Sequence, residues 1–249
     1  MVKNSSTILL QMKLSIVIAF LDSHEAVKRQ VKYFHDMHLP NDIEFVFVDD
    51  GSDPPHQQGD YHLENLRLIH TYDKRPWTQG IARNVGVKHA TGEYIFCTDI
   101  DHILSKEAIM AAYEFTGTKM IFPRYLALLT EKGELTQDPK LMEEYGLDLA
   151  RLETKRGLYA SYHGNTYVMP RWLFWELGGN DESHCLYGKH APSKKGEDSV
   201  MNTRYNHWAL KNNAAITVGP KIYMFSNGRY NLNKDPNPKG LFHTLSYEN

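Results

Sequence analysis

The chain has 249 residues and carries 28 Lys and Arg against 30 Asp and Glu, which gives a formal net charge of −2 with histidine neutral. Hydrophobic residues make up 41% and aromatic residues 12%, which excludes a disordered polyelectrolyte, an acidic tail protein and a uniformly basic nucleic-acid coat. The length fits one large α/β domain or two small ones, each with a sizeable apolar core.

Apolar runs alternate with helical patterns in the first half of the chain. This alternation is typical of βαβ units around a mainly parallel sheet. The pattern predicts strands at residues 14–21, 44–48, 67–70 and 94–98, and helices at residues 24–37 and 80–89. Polar clusters follow the ends of these strands, which is where open α/β sheets bind ligands.

The second half is less regular. The pattern predicts strands at residues 120–122 and 166–169, helices at 139–151, 171–177 and 197–210, a surface loop at 183–196, and a Pro/Asn/Gly-rich tail. Residues 189–249 hold nine Lys and Arg against four acids, so this end is locally basic. We find no repeat and no low-complexity linker, and we treat residues 1–249 as a single domain.

The two cysteines, Cys97 and Cys185, form neither a disulfide framework nor a C-x-x-C metal motif. The longest apolar run near the start, residues 14–21, is too short to span a bilayer and lacks a signal-peptide cleavage site after it. We therefore expect a cytoplasmic protein without a transmembrane segment.

Asp99 and Asp101 directly follow the fourth predicted strand. Residues two positions apart share a face in an extended chain, so both carboxylates can approach one hard divalent cation such as Mg²⁺ or Mn²⁺. A cation bound there would hold phosphates. The alternative is a pair of solvated acids that open a turn, because D-x-D alone is a weak pattern.

A second acidic turn, residues 49–53, follows the second predicted strand. A carboxylate there can accept hydrogen bonds from a nucleobase or a ribose, and Gly51 lets the backbone come close. An Asx turn that merely ends the strand is the alternative. In residues 82–86, Arg83 offers a planar set of donors for a phosphate or a base, or is a surface arginine on an amphipathic helix.

Taken in order, these motifs resemble the inverting GT-A glycosyltransferases, especially glycosyltransferase family 2. They are the opening strand from Ser15 to Asp22, V-D-D-G-S-D at 48–53, A-R-N-V-G at 82–86, A-T-G-E-Y-I at 90–95 leading to D-I-D at 99–101, and R-W-L-F-W-E-L-G-G-N-D-E at 171–182. G-E-D at 196–198, followed by a helix with Arg204, is similar to members related to chondroitin-type and galactosyl transferases. The resemblance implies a GT-A fold, with a mainly parallel central sheet flanked by helices.

The resemblance also implies which residues bind the donor. A nucleotide sugar, expected to be a UDP-sugar, would be bound by the half up to about residue 105, through Phe20, Asp49, Asp50, Arg83, Asn84 and Asp99. Mn²⁺ or Mg²⁺ would be held by Asp99, Asp101 and His243. Many relatives have a metal-ligand histidine after the strand that follows the base helix, and the equivalent residues 224–227 lack one. His102 is a lesser candidate for this ligand.

The remainder of the chain, about residues 106–249, would bind the acceptor. Asp198 would be the general base that deprotonates the acceptor hydroxyl, with Glu197 as its catalytic neighbour. Asp181 and Glu197 would lie in the acceptor site. The sequence leaves the acceptor open among a glycan, a lipid-linked sugar, a protein and a modified nucleobase.

The resulting hypothesis is a metal-dependent inverting glycosyltransferase that acts by direct displacement. A sugar that leaves UDP passes through an oxocarbenium-like state, so such an enzyme neutralises the diphosphate and holds a base on the opposite face. Two alternatives come from other classes. One is a non-catalytic nucleotide-sugar binding module, and the other is a D-x-D phosphatase with Asp99 as nucleophile.

Overall fold

The computed structural model describes residues 11–75, 78–144, 158–183, 185 and 197–224. The strands are β1 (Leu14–Phe20), β2 (Ile43–Asp49), β3 (Leu66–His70), β4 (Tyr94–Asp99), β5 (His102–Ile103), β6 (Lys119–Leu126), β7 (Leu128–Leu129), β8 (Leu135–Thr136), β9 (Tyr159–Pro170), β10 (Ile216–Val218) and β11 (Ile222–Met224). The α-helices are α1 (His24–Asp36), α2 (Gln79–His89), α3 (Lys106–Glu114), α4 (Pro139–Glu144), α5 (Arg171–Glu176) and α6 (Glu197–Asn212).

One large sheet organises the molecule. β3, β2, β1 and β4 lie side by side in that order and run parallel. β9 then pairs antiparallel with both β4 and β6, and β10 and β11 pair parallel with β6. β5 closes the order by pairing antiparallel with β11. The predicted α/β architecture with a mainly parallel sheet is confirmed, and one long antiparallel strand lies in its middle.

Helices cover both faces of the sheet. On one face, Ile16 and Ile18 of β1 pack in an apolar cluster with α1 and α3. On the other face, Val17 and Ala19 pack with α2, α5 and α6. Neighbouring residues of a strand point to opposite faces, so burial on both faces explains why β1 and β2 are continuous apolar runs rather than alternating ones.

Several elements differ from the predicted ones. β9 begins at Tyr159, well before the predicted residues 166–169. The prediction missed its first half because that segment is mostly polar and has no regular spacing of apolar residues. Helix α3 has no counterpart among the predicted elements. The helix predicted at 139–151 is described only as far as Glu144, and most of the predicted loop at 183–196 lies outside the described residues. No helix in the described ranges has the length and apolar character needed to cross a membrane.

A buried carboxylate, Glu44, fixes the start of β4 against β1 and β2. Its Oε1 accepts from the Ser15 hydroxyl at 2.6 Å, from the Thr91 hydroxyl at 2.9 Å and from the Gly92 N–H at 3.1 Å. Burial alone would raise the pKa of Glu44, but the hydrogen bonds from Ser15 and Thr91 outweigh it and hold that pKa below the usual value. The D-I-D turn at the other end of β4 is thereby positioned relative to β1 and β2.

Candidate active site

The two acidic turns meet at one edge of the sheet. β1 lies between β2 and β4, with Phe20 paired to Asp49 and Ala19 paired to Asp99. The residues that follow β2 and β4 therefore flank the carboxyl end of β1, as ligand-binding residues do in open α/β sheets.

The side chain of Asp49 stabilises the turn after β2 through hydrogen bonds to its backbone. Its Oδ1 accepts the N–H of Ser52 at 2.8 Å, and its Oδ2 accepts the N–H of His56 at 2.9 Å. The residue is 1% exposed. Burial would raise the pKa of Asp49, but these hydrogen bonds hold it below the usual value. The contacts favour the Asx-turn alternative for this residue.

Asp50 is the second carboxylate of the same turn. It accepts hydrogen bonds from the hydroxyls of Thr71 at 3.1 Å and Thr78 at 2.7 Å, and burial raises its pKa to about 6. Its backbone N–H binds the carbonyl of Phe20 at 2.8 Å. The side chain of Phe20 packs in the core, with its ring centroid 6.0 Å from that of Phe47. The backbone of Phe20 therefore holds this turn, and its ring packs on that of His56, with the centroids 4.7 Å apart.

Asp99 is held by Arg83, which is itself held by an asparagine from another element. Arg83 of α2, which is 1% exposed, forms an ion pair with Asp99. Asn165 of β9, with its amide oxygen facing the guanidinium, accepts from Arg83 Nη1 at 3.2 Å and Nη2 at 2.9 Å. Burial would raise the pKa of Asp99, but Arg83 and the nearby histidines keep it well below its usual range. Arg83 is thus an interior residue that orients Asp99, and the surface-arginine alternative is wrong.

His102 directly follows the D-I-D turn, and both of its ring nitrogens form hydrogen bonds within the protein. Arg124 donates to its Nε2 at 2.8 Å, so the proton sits on Nδ1, which faces the hydroxyl of Thr166 at 2.6 Å. Burial lowers the pKa of His102 to about 4, so the ring is neutral at physiological pH. These contacts disfavour His102 as a metal ligand, because binding an ion would break one of them.

Asp101 is the second acid of the D-I-D turn and is less enclosed. Its side chain is 23% exposed, and its Oδ1 lies 3.9 Å from Nε2 of His102. Burial and the charge of Asp99 raise the pKa of Asp101 to about 6. Asp99 therefore repels Asp101 in the metal-free protein, which a bound cation would relieve.

A histidine that the sequence did not single out lies beside Asp99 and His102. His163 of β9 places Nδ1 3.4 Å from Oδ2 of Asp99. Asp99, His102 and His163 each offer one ligand atom within 4.8 Å of the others, and no other set of three His, Cys, Asp or Glu in the described residues meets that criterion. Carboxylate oxygen and imidazole nitrogen together fit a divalent transition ion such as Mn²⁺.

Asp198 lies against the same segment of β9. A Cβ atom at Gly164 would lie 2.7 Å from Oδ2 of Asp198 and 2.9 Å from Nδ2 of Asn202, so only glycine leaves room for this carboxylate. Asn202 accepts at 2.6 Å from Lys119, whose pKa burial lowers to about 8. Three consecutive residues, His163 to Asn165, thus contact Asp99, Asp198 and Arg83.

The loop after α5 is tied to α2 through Asn84. Asn84 donates to the carbonyl of Asn180 at 3.1 Å and to Glu182 Oε1 at 2.7 Å, and it accepts from the N–H of Asn180 at 2.8 Å. Arg204 donates to the carbonyl of Gly179 at 2.9 Å, which closes the C-terminal end of α5. Asn84 therefore supports the loop that contains Asp181.

Asp181 accepts the N–H of Ser183 at 2.9 Å, and its carbonyl lies beside Gly80 at the start of α2. Glu197 is the first residue of α6, next to Asp198, and its side chain lies outside the described part of the chain. His243 also lies outside the described residues.

One sequence signal could have located the residues on β9. A glycine inside a strand marks the close approach of another group, and Gly164 stands between His163 and Asn165. If residues 159–165 are taken as part of a strand, His163, Gly164 and Asn165 fall beside the site.

The similarity of this chain to known proteins concerns its fold and its sequence family. No curated protein sequence matches the chain significantly. Among solved structures, S. aureus TarS (residues 1–349) aligns with a TM-score of 0.54 at 18% identity, over 87% of this chain and 61% of that one. The mannosyltransferase PcManGT from Pyrobaculum calidifontis, in complex with GDP-Man and Mn²⁺, aligns with a TM-score of 0.52 at 16% identity, over 91% of this chain and 57% of that one.

These likenesses show a common fold, and the chain spans about three fifths of the length of those two structures. The model of one sequence family, Glycosyl transferase family 2, matches residues 15–157, which is more than half of the chain. The match includes both acidic turns and Arg83. The chain therefore belongs to glycosyl transferase family 2.

Proposed function

We propose that this chain is a metal-dependent inverting glycosyltransferase that moves a sugar from a UDP-sugar to an acceptor hydroxyl by direct displacement. The observation that carries the proposal is the position of Asp198. It lies against Gly164, and the residues on either side of Gly164 contact Asp99 and Arg83. A base and the residues proposed to hold the donor phosphates are thereby fixed to one strand segment.

Each residue has a role in this mechanism. Asp50 accepts a hydrogen bond from the nucleobase or ribose. A divalent cation bound at Asp99 and Asp101 would neutralise charge on the departing diphosphate. Asp198 takes the proton of the acceptor hydroxyl as the acceptor oxygen bonds to the anomeric carbon and the bond to UDP breaks. Asp181 and Glu197 line the acceptor side.

The charge around Asp99 predicts that the cation and the nucleotide bind together. Two guanidinium groups, Arg83 and Arg124, lie close to the two carboxylates Asp99 and Asp101. Their charges offset one another, so the metal-free site attracts a cation weakly. The diphosphate supplies the missing negative charge and ligand oxygens.

A phosphatase mechanism fits this geometry poorly. A nucleophilic Asp99 would need a carboxylate free to attack phosphorus, but one of its oxygens is bound by Arg83 in the interior. The non-catalytic binding module differs from the proposal only in having no turnover, and measured turnover separates the two.

A thermal-shift screen across nucleotide sugars tests the proposal. A UDP-sugar at 100 times its Kd stabilises the native state by about 2.7 kcal/mol, which raises Tm by roughly 5–10 °C for a chain of this size. We expect that shift with UDP-sugars in Mn²⁺ and its loss in EDTA. If no UDP-sugar raises Tm in Mn²⁺ and none is hydrolysed, the proposal is wrong.

Gly164→Ala is expected to lower kcat by about 10- to 100-fold, because the new methyl group displaces Asp198 and a shift of about 1 Å is enough for such a loss. The matched control is Gly59→Ala, since a Cβ there meets no atom within 4 Å. Steady-state kinetics and UDP titrations on both variants check this prediction. Equal kcat values for the two variants would contradict the assigned position of the base.

A further inference from the structure

The nitrogen of His163 that faces Asp99 is placed as a ligand atom. Asn165 donates its backbone N–H to Nδ1 of His163 at 3.4 Å, and Oδ2 of Asp99 lies at 3.4 Å from the same nitrogen. In the tautomer that accepts from Asn165, this nitrogen carries a lone pair directed into the space beside the Asp99 carboxylate. A cation between the two atoms would be coordinated by both.

The spacing of the two atoms suits one ion. Ligand atoms about 2.1 Å from an octahedral ion lie roughly 3.0 Å apart when adjacent and roughly 4.2 Å apart when opposite. The observed 3.4 Å is near the adjacent value. The side chain of His163 is 29% exposed and that of Asp99 is 13% exposed, so further coordination positions remain open to the diphosphate.

His102, the other imidazole of the cluster, does not compete for this role. Its two ring nitrogens are bound to Arg124 and Thr166, as described above. Its ring lies edge-on to that of His163, with the centroids 5.3 Å apart, and packs beside it. His102 therefore orients the neighbouring groups, and His163 retains a nitrogen that faces the site.

We propose that His163 is a protein ligand of the divalent cation, together with Asp99 and with Asp101 alongside. This inference rests on the proposed function, because the ion it concerns is the one that binds with UDP. It places the nitrogen ligand on the central antiparallel strand β9, directly before the glycine that accommodates the proposed base. The proposed metal ligand His163 and the glycine that makes room for Asp198 are then neighbours in one strand segment.

The first test measures Mn²⁺ binding by calorimetry in saturating UDP. His163→Ala is expected to weaken Mn²⁺ binding at least about 10-fold, the lower end of the cost of perturbing a metal site. The matched control is His207→Ala, which removes an exposed histidine of α6 and should leave the Kd unchanged.

The second test identifies the ligand directly. In His163→Cys loaded with Co²⁺ and UDP, a thiolate bound to the metal gives a sulfur-to-cobalt charge-transfer band in the near ultraviolet. We expect this band in His163→Cys and not in His207→Cys. A Kd for Mn²⁺ that is unchanged in His163→Ala, or a His163→Cys protein that binds Co²⁺ without the band, would overturn the inference.

The two proposals fail in different ways. If the wild-type protein binds UDP but no Mn²⁺, the metal dependence in the proposed function is wrong, and the role of His163 falls with it. If the wild-type protein binds Mn²⁺ with UDP and the His163 variants match their controls, only the inference about His163 is wrong.

Discussion

Asp198→Asn is expected to lower kcat for glycosyl transfer by about 10²- to 10⁴-fold, the usual contribution of a general base. The amide has nearly the shape of the carboxylate but cannot accept the acceptor's proton. Asp198 lies in the first turn of α6 and accepts the N–H of Ser199 at 2.7 Å, and its other oxygen lies beside Gly164. UDP does not contact this group in our proposal, so the Kd for UDP in Mn²⁺ should change by less than about twofold.

Initial rates and UDP titrations on the same preparations measure both quantities. Asp60→Asn is the matched control, because Asp60 is an exposed aspartate in the short 3₁₀ helix Gln58–Asp60. A kcat for Asp198→Asn within about threefold of that control would remove Asp198 from the role of base. A large loss of UDP affinity would instead place it at the donor.

Asp101→Ala is expected to abolish the Mn²⁺-dependent part of UDP binding. The variant removes one of two carboxylates at the proposed metal site, so we expect UDP affinity in Mn²⁺ to fall at least about 10- to 100-fold. In EDTA, wild type and variant should bind UDP equally weakly. Calorimetry in both buffers gives the comparison.

The same variant should fold normally. Because burial and the charge of Asp99 raise the pKa of Asp101 to about 6, the ionised Asp101 opposes folding at neutral pH in the metal-free protein. We therefore expect the Tm of metal-free Asp101→Ala to equal or exceed that of wild type. UDP binding in Mn²⁺ that equals that of Asp60→Ala would contradict a metal role for Asp101.

The parallel half of the fold was predictable because its strands are buried on both faces. β1, β2 and β4 appear in the sequence as mainly apolar runs, and the acidic residues at their ends mark the ligand-binding edge. Asp50 and Asp99 were found in this way, and the structure places their turns together.

The antiparallel strand was harder to predict for a physical reason. His163 and Asn165, in the first half of β9, contact Asp99 and Arg83 of the site. Residues 159–165 have no hydrophobic period in the sequence. His163 and Asn165 were missed for that reason.

Long-range partners were also inaccessible to pattern reading. Asn84 binds residues 96 and 98 positions away in the chain. Its sequence motif suggests a role in nucleotide binding, and the structure adds these hydrogen bonds to the loop after α5, which the motif does not indicate. The partners of Arg83 were inaccessible for the same reason. The sequence suggests that its guanidinium binds a phosphate or a base, and the structure shows that Asp99 and Asn165 hold it in the interior.

The stereochemistry of donor cleavage tests the central claim most directly. The wild-type protein with Mn²⁺ and an α-linked UDP-sugar, without acceptor, should slowly release the sugar to water, and proton NMR can follow the anomeric proton before mutarotation. A single displacement with Asp198 as base predicts that the β-anomer appears first. Initial release of the α-anomer, or no release of UDP from any UDP-sugar, would contradict an inverting glycosyltransferase.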